Sequence, residues 1–329
     1  MKNAWYLAID GGGTKTEYRL LDGQFRAAER CLGGCVNHDF LPGGWEDTAR
    51  ELRSAIADLL GRRGLQIGDI TDTVAGLSGV DSRTDQASIE RCLRDIGLTR
   101  FLACNDGFLP VKAECDGWGI AYNCGTGVCC CGIGEEGRMI KSAGLDEWSG
   151  DAGGGRWIAV HLFRAVYQRL FLYGENTYLT AAYQQKFGCR SEEDILDSLT
   201  LLKDPTEHPE AARAAVELFF AALEQKDEDA QTLAEKMTDC AAENISVVCR
   251  KLGFAQTQIP VVLTGSVHTK AANRVYLDLL EKRVQKAMDG RAEIFPASKE
   301  PVAGAQKWLE ERAANAPGGI QSKHGNYAD

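Results

Sequence analysis

A run of three glycines between two β-rich segments constrains the fold of this chain more than any other feature of its sequence. Residues 5–9 and 17–21 are typical of strands, and Asp10-Gly11-Gly12-Gly13-Thr14-Lys15-Thr16 lies between them. The pattern predicts a β-hairpin closed by a tight glycine turn. Because the turn leads into a strand and matches neither GxxxxGK[ST] nor GxGxxG, a phosphate site at a helix N-terminus is not indicated.

The composition of this turn suits phosphate binding. Three glycines leave backbone N–H groups uncovered, while Thr14, Lys15 and Thr16 supply hydroxyls and a cation. Asp10, at the end of the first strand, can hold a hydrated Mg²⁺ that bridges phosphates. The alternative is a tight hairpin that binds no ligand, since glycine turns are common.

The first half of the chain alternates strands with helices, and the hairpin then recurs. The predicted elements are helices over residues 45–63 and 86–96 and strands over 73–77 and 101–104. A second Gly-Thr turn, Gly125-Thr126-Gly127, lies between predicted strands over 119–122 and 128–133. The sequence therefore predicts a duplicated α/β module, each copy led by a hairpin.

The second half is mainly helical before a last α/β pass. Helices are predicted over 157–172, 192–202, 209–223, 227–252, 269–288 and 301–314, and strands over 259–263 and 292–295, with a turn at Gly265-Ser266. We expect an N-terminal lobe over 1–115 that helix 301–314 completes, and a C-terminal lobe over 116–300. The second lobe would contain a helical insertion at about 156–252, and the tail over 315–329 would be disordered.

Charge and hydropathy exclude several classes of function. The 329 residues include 47 acidic and 37 basic side chains, for a formal net charge of -10, with no run of Lys and Arg. A nucleic-acid partner is therefore not expected. The N-terminus lacks the pattern of a signal peptide, and no segment approaches the roughly 20 apolar residues of a membrane span. We expect a soluble cytoplasmic protein without a membrane partner.

The chain has 12 cysteines, which could indicate disulfides, a metal site or buried thiols. Cys129, Cys130 and Cys131 are consecutive, so on a strand their side chains alternate between faces and cannot all bind one metal. Cys31 and Cys35 do not belong to the paired CxxC sets that complete a zinc site. In a reducing compartment, buried free thiols are the preferred interpretation.

The two Gly-Thr hairpins and the later turn at Gly265-Ser266 together resemble the actin, heat-shock-chaperone and sugar-kinase superfamily. More narrowly, the chain is similar to the BadF/BadG/BcrA/BcrD ATPase family and, within it, to the N-acetylglucosamine kinases. The matching segments are residues 10–16, 33–38, 77–81, 105–107, 125–127, 150–158, 264–266 and 301–305. The resemblance implies a duplicated actin-like fold, with ATP in a cleft between two lobes. The hairpins would bind its phosphates and the later turn its adenosine.

The resemblance also implies roles for single residues. Asp106, which follows predicted strand 101–104, would be the general base that accepts the proton of a sugar hydroxyl. The residues implied to border the sugar are Asn37, Ser78, Asn105, Asp106 and Asp151, and those implied to bind ATP are Gly11, Gly12, Gly13, Thr14, Lys15, Thr16, Gly125, Thr126, Gly127, Gly265 and Ser266. Without the resemblance, Asp106 is as well explained by an Asn-Asp-Gly turn, and a histidine such as His38 is more often structural or solvated.

The expected activity is phosphorylation of an amino sugar, such as N-acetylglucosamine or glucosamine, by ATP with Mg²⁺. Two departures from the kinase pattern leave the acceptor open. Ala152 and Gly154 stand where Glu and Ser are usual, and Val128-Cys129 stands where Ser-Asn is usual. Another amino sugar or a different polyol fits as well.

Two other functions remain open from the sequence. One is an iron–sulfur ATPase activator of a 2-hydroxyacyl-CoA dehydratase, although the chain lacks the Asp-x-Gly-Ser-Thr-Thr-Thr-Lys loop and the Gly-Gly-Gln-Asp motif of those proteins. The other is a non-catalytic sensor of sugar or nucleotide. The sequence also leaves open whether the chain forms a homodimer.

Overall fold

The structure is a computed structural model that describes residues 4–203, 208–271 and 273–315. Its strands form two five-stranded sheets against which helices pack, so the fold is α/β as predicted. The tail predicted to be disordered lies, from residue 316 onward, outside the described residues. None of the described helices combines the length and apolarity that a membrane span requires.

The two sheets have mixed strand directions. The strands are β1 (Trp5–Gly11), β2 (Thr16–Leu21), β3 (Ala27–Gly33), β4 (Ile70–Leu77), β5 (Phe101–Cys104), β6 (Gly119–Cys124), β7 (Val128–Ile133), β8 (Met139–Ser142), β9 (Ile259–Thr264) and β10 (Ala292–Pro296). The first sheet has the order β3-β2-β1-β4-β5 and the second the order β10-β9-β6-β7-β8. β1 is antiparallel to β2 and parallel to β4, which is parallel to β5. The carboxyl ends of β1, β4 and β5 therefore meet at one edge of the first sheet.

Helices make up most of the remaining described chain. They are α1 (Trp45–Gly61), α2 (Arg83–Ile96), α3 (Leu109–Glu114), α4 (Gly154–Tyr167), α5 (Tyr178–Phe187), α6 (Glu192–Lys203), α7 (Pro209–Glu224), α8 (Glu228–Leu252), α9 (Ser266–Thr269), α10 (Arg274–Ala287) and α11 (Val302–Ala314). A π-helical turn, Gln168–Tyr173, continues α4. The chain divides into two compact units. The first unit comprises Met1–Ala121, Cys131–Lys141 and Ala297–Asp329, and the second comprises Tyr122–Cys130 and Ser142–Pro296.

Alternation along the strands places helices on both faces of the first sheet. Leu7 and Ile9 of β1 point into a core formed with α1 and α2, while Ala8 between them packs on the opposite face. That opposite core contains Leu109 of α3 and Val302 of α11. Because successive side chains of a strand face opposite sides, a run of buried apolar residues indicates a sheet covered on both faces.

Several elements differ from those predicted. β3 was not predicted because its Ala-Ala-Glu-Arg sequence, on an edge strand, lacks apolar alternation. α5 was not predicted because only three of its ten residues are buried, Leu179, Thr180 and Tyr183. At the predicted Gly265-Ser266 turn, Ser266 already begins the short helix α9, and the following long helix starts at Arg274 instead of residue 269.

The packing of α11 on α3 yields a stability prediction. A Cβ on Gly304 of α11 would lie 2.0 Å from the carbonyl oxygen of Leu109 and 3.0 Å from the backbone nitrogen of Ala113. Since backbone atoms cannot move aside as a side chain can, we expect Gly304→Ala to lower the free energy of unfolding by about 1–3 kcal/mol, or more if the helices separate. Chemical denaturation measures this loss. The matched control is Gly61→Ala in α1, where a Cβ meets nothing within 4 Å, and which we expect to be neutral or stabilising.

Candidate active site

The first hairpin, between β1 and β2, contains the residues predicted to bind phosphate. The Gly12 N–H donates to the Lys15 carbonyl over 2.9 Å and closes the turn. In the part of the chain that the structure describes, the N–H groups of Gly13 and Thr14 have no acceptor. Thr14 and Lys15 are exposed. The turn therefore presents open backbone donors, a hydroxyl and an ammonium group, which are the groups that a phosphate requires.

Space, and not an unusual backbone conformation, explains Gly11 and Gly13 of this turn, since neither has a positive φ. A Cβ on Gly11 would lie 2.5 Å from side-chain atoms of Leu77 and Val36, and one on Gly13 would lie 2.9 Å from the ring of Phe40. Both distances are shorter than real Cβ contacts. Neighbouring side chains thus pack directly against the backbone of the hairpin.

Thr16, at the other end of the turn, is buried, and its hydroxyl donates to the carbonyl of Gly34 over 2.7 Å. Sequence reasoning placed this side chain among the phosphate-binding groups. In the structure its hydroxyl joins the hairpin to the segment that leads to Asn37. The exposed hydroxyl of the turn is that of Thr14.

Asp10 lies near the end of β1, opposite Glu17 of β2 and Gly76 of β4. Burial, and then the carboxylates of Asp106 and Glu17, raise the pKa of Asp10 to about 7. A crowded carboxylate of this kind gains a counter-charge when it faces a divalent cation, directly or through water. Within the described residues, no group of three or more His, Cys, Asp or Glu could hold a metal by itself. A single carboxylate of this kind suits an ion such as Mg²⁺, which favours one or two carboxylates with several waters.

The raised pKa of Asp10 predicts a gain in stability when the charge is removed. The ordinary pKa is 3.8 and the folded value about 7, so the folded state binds the proton more tightly than the unfolded state. Stability from this group is fully present below pH 3.8 and is lost as pH rises through 7. We therefore expect Asp10→Asn to raise the melting temperature in metal-free buffer, and to raise it more at pH 8 than at pH 5.5.

Asp22→Asn is the control for this measurement. Backbone N–H groups of Arg26 and Gln24 lower the pKa of Asp22, and its charge is therefore stabilising. Its removal should lower the melting temperature at pH 8. A gain in both variants would contradict the electrostatic explanation.

Asp106 follows β5 and begins a short 3-10 turn, Asp106–Phe108. Burial, and then the carboxylate of Asp81, raise the pKa of Asp106 to about 6, whereas the ammonium of Lys141 opposes this rise. At neutral pH the group is therefore largely ionised and can still accept a proton, as a general base must. The charge of Asp106 also raises the pKa of Asp10, and the structure thus brings the predicted base and the predicted metal-binding carboxylate into one electrostatic environment.

Asn105, which precedes Asp106, is buried, and both the oxygen and the nitrogen of its amide make hydrogen bonds. Its Oδ1 accepts from the N–H of Gly107 over 2.9 Å, and its Nδ2 donates to Oδ1 of Asp81 over 2.8 Å. The same oxygen of Asp81 lies 3.1 Å from Nζ of Lys141. These bonds fix the turn that carries the carboxylate of Asp106.

Asn37 and Ser78, predicted to border the sugar, are adjacent. Asn37 is buried, its Nδ2 donates to Oγ of Ser78 over 2.8 Å, and its Oδ1 accepts from the N–H of Asp39. The N–H of Ser78 donates to the carbonyl of Gly11 over 2.7 Å. Gly79 is required here, because its φ is 83° and a Cβ would lie 2.4 Å from the amide oxygen of Asn37. The structure therefore joins the predicted acceptor residues to the phosphate hairpin.

His38 is held by packing. Its ring stacks on Trp45 at a centroid distance of 4.0 Å, and its Nε2 lies 3.3 Å from Asp39 and 3.7 Å from Asp85. The structural interpretation of this histidine, preferred from the sequence, agrees with these contacts.

In the second unit, the Gly125-Thr126-Gly127 turn packs against the start of α4. The N–H of Gly155 donates to the carbonyl of Gly125 over 2.8 Å, and that of Arg156 donates to the carbonyl of Thr126 over 3.1 Å. Gly154, with a φ of 81°, allows this approach, since a Cβ there would lie 2.7 Å from Cα of Gly127. The first N–H groups of α4 thus donate to the carbonyls of the turn and hold it in place.

The later turn also depends on a glycine. Gly265 has a φ of 85°, and a Cβ there would lie 2.3 Å from the carbonyl group of Cys124. Next to it, the Thr264 hydroxyl donates to the amide oxygen of Asn123 over 3.0 Å. Gly265 and Ser266 therefore lie directly beside the strand that leads into the Gly125 turn.

Asp151 and Ala152, in the segment that departs from the kinase pattern, are both buried. Asp151 accepts from the N–H groups of Gly144 and Leu145 over 2.8 and 3.0 Å, so one of its oxygens fixes that loop. Ala152 and Val128 are both buried. At the two departures from the kinase pattern, the second unit therefore has packed side chains of low polarity.

Sequence reasoning missed Asp81 and Lys141 as functional candidates. Asp81 lies in the segment 77–81 that matches the resembled family, but the resemblance implies no role for it. Lys141, near the end of β8, is distant in sequence from every site residue of the first unit. The tertiary fold brings Lys141 of β8 to Asp81, which lies in the loop after β4, and no local pattern shows such a contact. The signal available was weak, namely a lysine that follows two apolar residues in a short strand.

Two curated kinases are similar in sequence to this chain. The chain is 25% identical to N-acetyl-D-glucosamine kinase of Dictyostelium discoideum over 324 residues, which cover 93% of this chain and 97% of that one. It is 26% identical to an N-acetylmuramic acid/N-acetylglucosamine kinase of Clostridium acetobutylicum over 195 residues, which cover 59% of this chain and 63% of that one.

A candidate N-acetylglucosamine kinase from Chromobacterium violaceum shares the fold, with a TM-score of 0.67 at 20% identity over 93% of this chain and 98% of that one. This likeness confirms the predicted actin-like α/β fold. The family model for BadF/BadG/BcrA/BcrD ATPases matches residues 7–308, most of the chain. The chain therefore belongs to the BadF/BadG/BcrA/BcrD ATPase family.

Proposed function

We propose that this protein is an ATP-dependent sugar kinase that phosphorylates a hydroxyl of an amino sugar, such as N-acetylglucosamine or glucosamine. The observation that carries the proposal is the position of Asp106, whose pKa is raised to about 6, in the same unit as the phosphate-type hairpin and Asp10. The names of the two curated relatives support an amino sugar as the acceptor.

In the reaction we propose, the carboxylate of Asp106 accepts the proton of the sugar hydroxyl. The hydroxyl oxygen forms a bond to the γ-phosphorus of ATP, and the bond to the β,γ-bridging oxygen breaks, releasing ADP. Positioning and neutralisation of charge provide most of the acceleration in such transfers. The N–H groups of Gly13 and Thr14, together with Lys15, would bind the phosphates from the first hairpin. Gly125, Thr126 and Gly127 would bind them from the second, and Gly265 and Ser266 would contact the adenosine.

We assign Mg²⁺ to Asp10, through water. This ion supplies charge neutralisation for the phosphates when it is bound, and it favours one or two carboxylates with several waters. The pKa of about 7 at Asp10 supports the assignment, because a cation beside the carboxylate offsets the repulsion from Asp106 and Glu17.

The acceptor would be bound by Asn37, Ser78, Asn105 and Asp151. Amides and hydroxyls of this kind discriminate between sugars by hydrogen bonds to their hydroxyl groups. Ala152 and Val128 are apolar where polar contacts are usual in the resembled kinases, so the acceptor profile is expected to differ from theirs.

A phosphorylation screen tests the proposal. Purified protein with Mg-ATP is incubated with amino sugars, N-acetylated sugars and simple hexoses, and sugar phosphate is detected by mass spectrometry. We expect product with at least one amino sugar, and none when EDTA replaces Mg²⁺. Sugar binding by calorimetry without any phosphorylated product would instead favour a sensor.

A further inference from the structure

The ion pair between Lys141 and Asp81 takes no direct part in the proposed reaction. The Lys141 side chain is 9% exposed and that of Asp81 18% exposed, so both charges are largely removed from water. Both residues belong to the first unit. Desolvating two charges is costly, and a well-packed apolar pair of similar volume is often at least as stable. Stability is therefore a weak explanation for this pair.

The pair contacts Asn105, the residue that precedes the predicted base Asp106. Oδ1 of Asp81 is shared, because it lies 3.1 Å from Nζ of Lys141 and accepts from Nδ2 of Asn105 over 2.8 Å. The contact fixes which way the amide of Asn105 points. The amide oxygen is thereby directed to the N–H of Gly107, on the other side of Asp106. A chain of three contacts thus runs from Lys141 to the turn that carries the carboxylate.

The local sequence explains why Asp81 is held at this place. Asp81 follows β4 and immediately precedes Ser82, the N-cap of α2. The carboxylate of Asp85 accepts from the N–H groups of both Asp81 and Ser82, which fixes the backbone before the helix. The side chain of Asp81 is therefore free to bind Asn105 and Lys141 while its backbone is anchored.

We propose that Lys141 and Asp81 are positioning residues for Asp106, which orient the turn through Asn105 and balance the charge next to its carboxylate. The proposal rests on the proposed function, in which Asp106 is the general base. The charged groups that shift the pKa of Asp106 are Asp81 and Lys141, and the charge of Asp106 in turn raises the pKa of Asp10 and of the Cys104 thiol. Asp81 and Lys141 act on Asp106 with opposite sign.

Asp81 raises the pKa of Asp106 and Lys141 lowers it, so removing them should shift this pKa in opposite directions. A merely structural role of the two residues would not produce such opposite shifts. The acid limb of kcat/KM should have its midpoint near the pKa of Asp106, which is about 6 in the free protein. In Lys141→Met, the charge of Asp81 is unopposed, and we expect the limb to move up by about one pH unit. In Asp81→Asn, the limb should move down by a similar amount. Lys141→Arg keeps the charge and should leave the limb near its original position.

The matched control is Lys112→Met. Lys112 is a second lysine of the first unit with a nearly buried side chain, 10% exposed, and it is paired with Glu311 at 2.6 Å between α3 and α11. We expect the loss of either lysine to lower the melting temperature, because each leaves a carboxylate without its partner, but only the loss of Lys141 to move the acid limb. All variants are assayed well below their melting temperatures.

A second measurement does not depend on activity. The side-chain carboxyl ¹³C shift of Asp106 is followed against pH in protein labelled at aspartate, with Asp106→Asn identifying the signal. Opposite displacements of its titration midpoint in Lys141→Met and Asp81→Asn are the expected result. Displacements in the same direction, or none, would overturn the proposal. If the wild type phosphorylates no sugar, the proposed function fails, and this titration still decides the charge relation by itself.

Discussion

Asp106→Asn should reduce sugar phosphorylation by about 10²–10⁴-fold while ATP binding stays nearly unchanged. The amide has almost the shape of the carboxylate, but it cannot accept the proton of the acceptor hydroxyl. The carboxylate sits at the carboxyl end of β5, in a turn held by the buried side chain of Asn105. The substitution therefore removes the chemistry and leaves the turn. Steady-state kinetics give kcat and KM, and calorimetry gives the affinity for ATP.

A matched control is Asp116→Asn, which removes a carboxylate of the same unit whose side chain is fully exposed. We expect this variant to keep the turnover of the wild type. Substantial turnover in Asp106→Asn would refute the assignment of Asp106 as the base. A large loss of ATP affinity in that variant would instead indicate that Asp106 contributes to the phosphate site.

The second large effect is expected from Gly154→Ala. Gly154 has a φ of 81°, and an added Cβ would lie 2.7 Å from the Thr126 carbonyl oxygen and from Cα of Gly127. The left-handed conformation costs a residue with a Cβ about 1–2 kcal/mol, and overpacking adds about 1–3 kcal/mol. We expect a loss of more than about 2 kcal/mol in the free energy of unfolding. Because the turn is pushed from its place, KM for ATP should rise about tenfold or more.

Gly155→Ala is the neighbouring control. Its added Cβ would lie 3.7 Å from the Gly125 carbonyl oxygen and 3.8 Å from Val216, both ordinary contacts. Alanine also favours the helix over glycine by about 0.8–1.0 kcal/mol. Denaturation and ATP kinetics are measured for both variants, and equal effects at the two positions would contradict the close approach that we describe.

The sequence predicted best those parts of the fold that local patterns determine. The hairpin was recognisable because β-rich residues flank a glycine turn, and α1 and α2 because apolar residues recur at helical spacing. The edge strand β3 was not predictable, since its sequence is largely polar and its pairing with β2 depends on a partner in the sheet. That strand is stabilised by its tertiary neighbours, and local sequence propensity carries no information about them.

The residues of the candidate site likewise fall into those that the sequence could predict and those that it could not. The strands β1, β4 and β5 are parallel to one another, and Asp10 and Asp106 lie where their carboxyl ends meet. Asp10 could be named from the sequence because it lies at the end of a predicted strand, and Asp106 because the resemblance implies a base at that position. Lys141 could not, because its contact with Asp81 joins residues 60 positions apart on separate strands and loops. The hydrogen bond from Thr16 to Gly34 could not be predicted either, since the sequence of a Gly-Thr turn does not indicate which hydroxyl is buried.

Hydrogen bonds from Ser78 to Gly11 and from Asn37 to Ser78 join the predicted phosphate loop of the first unit to the segments predicted to bind the acceptor. In the proposed reaction, this connection would fix the distance between the acceptor oxygen and the phosphorus before an acceptor binds. Substitutions at Asn37 or Ser78 would then disturb the predicted phosphate loop as well. Efforts to broaden the range of acceptors should therefore leave these two residues in place and alter the apolar positions of the second unit, Ala152 and Val128.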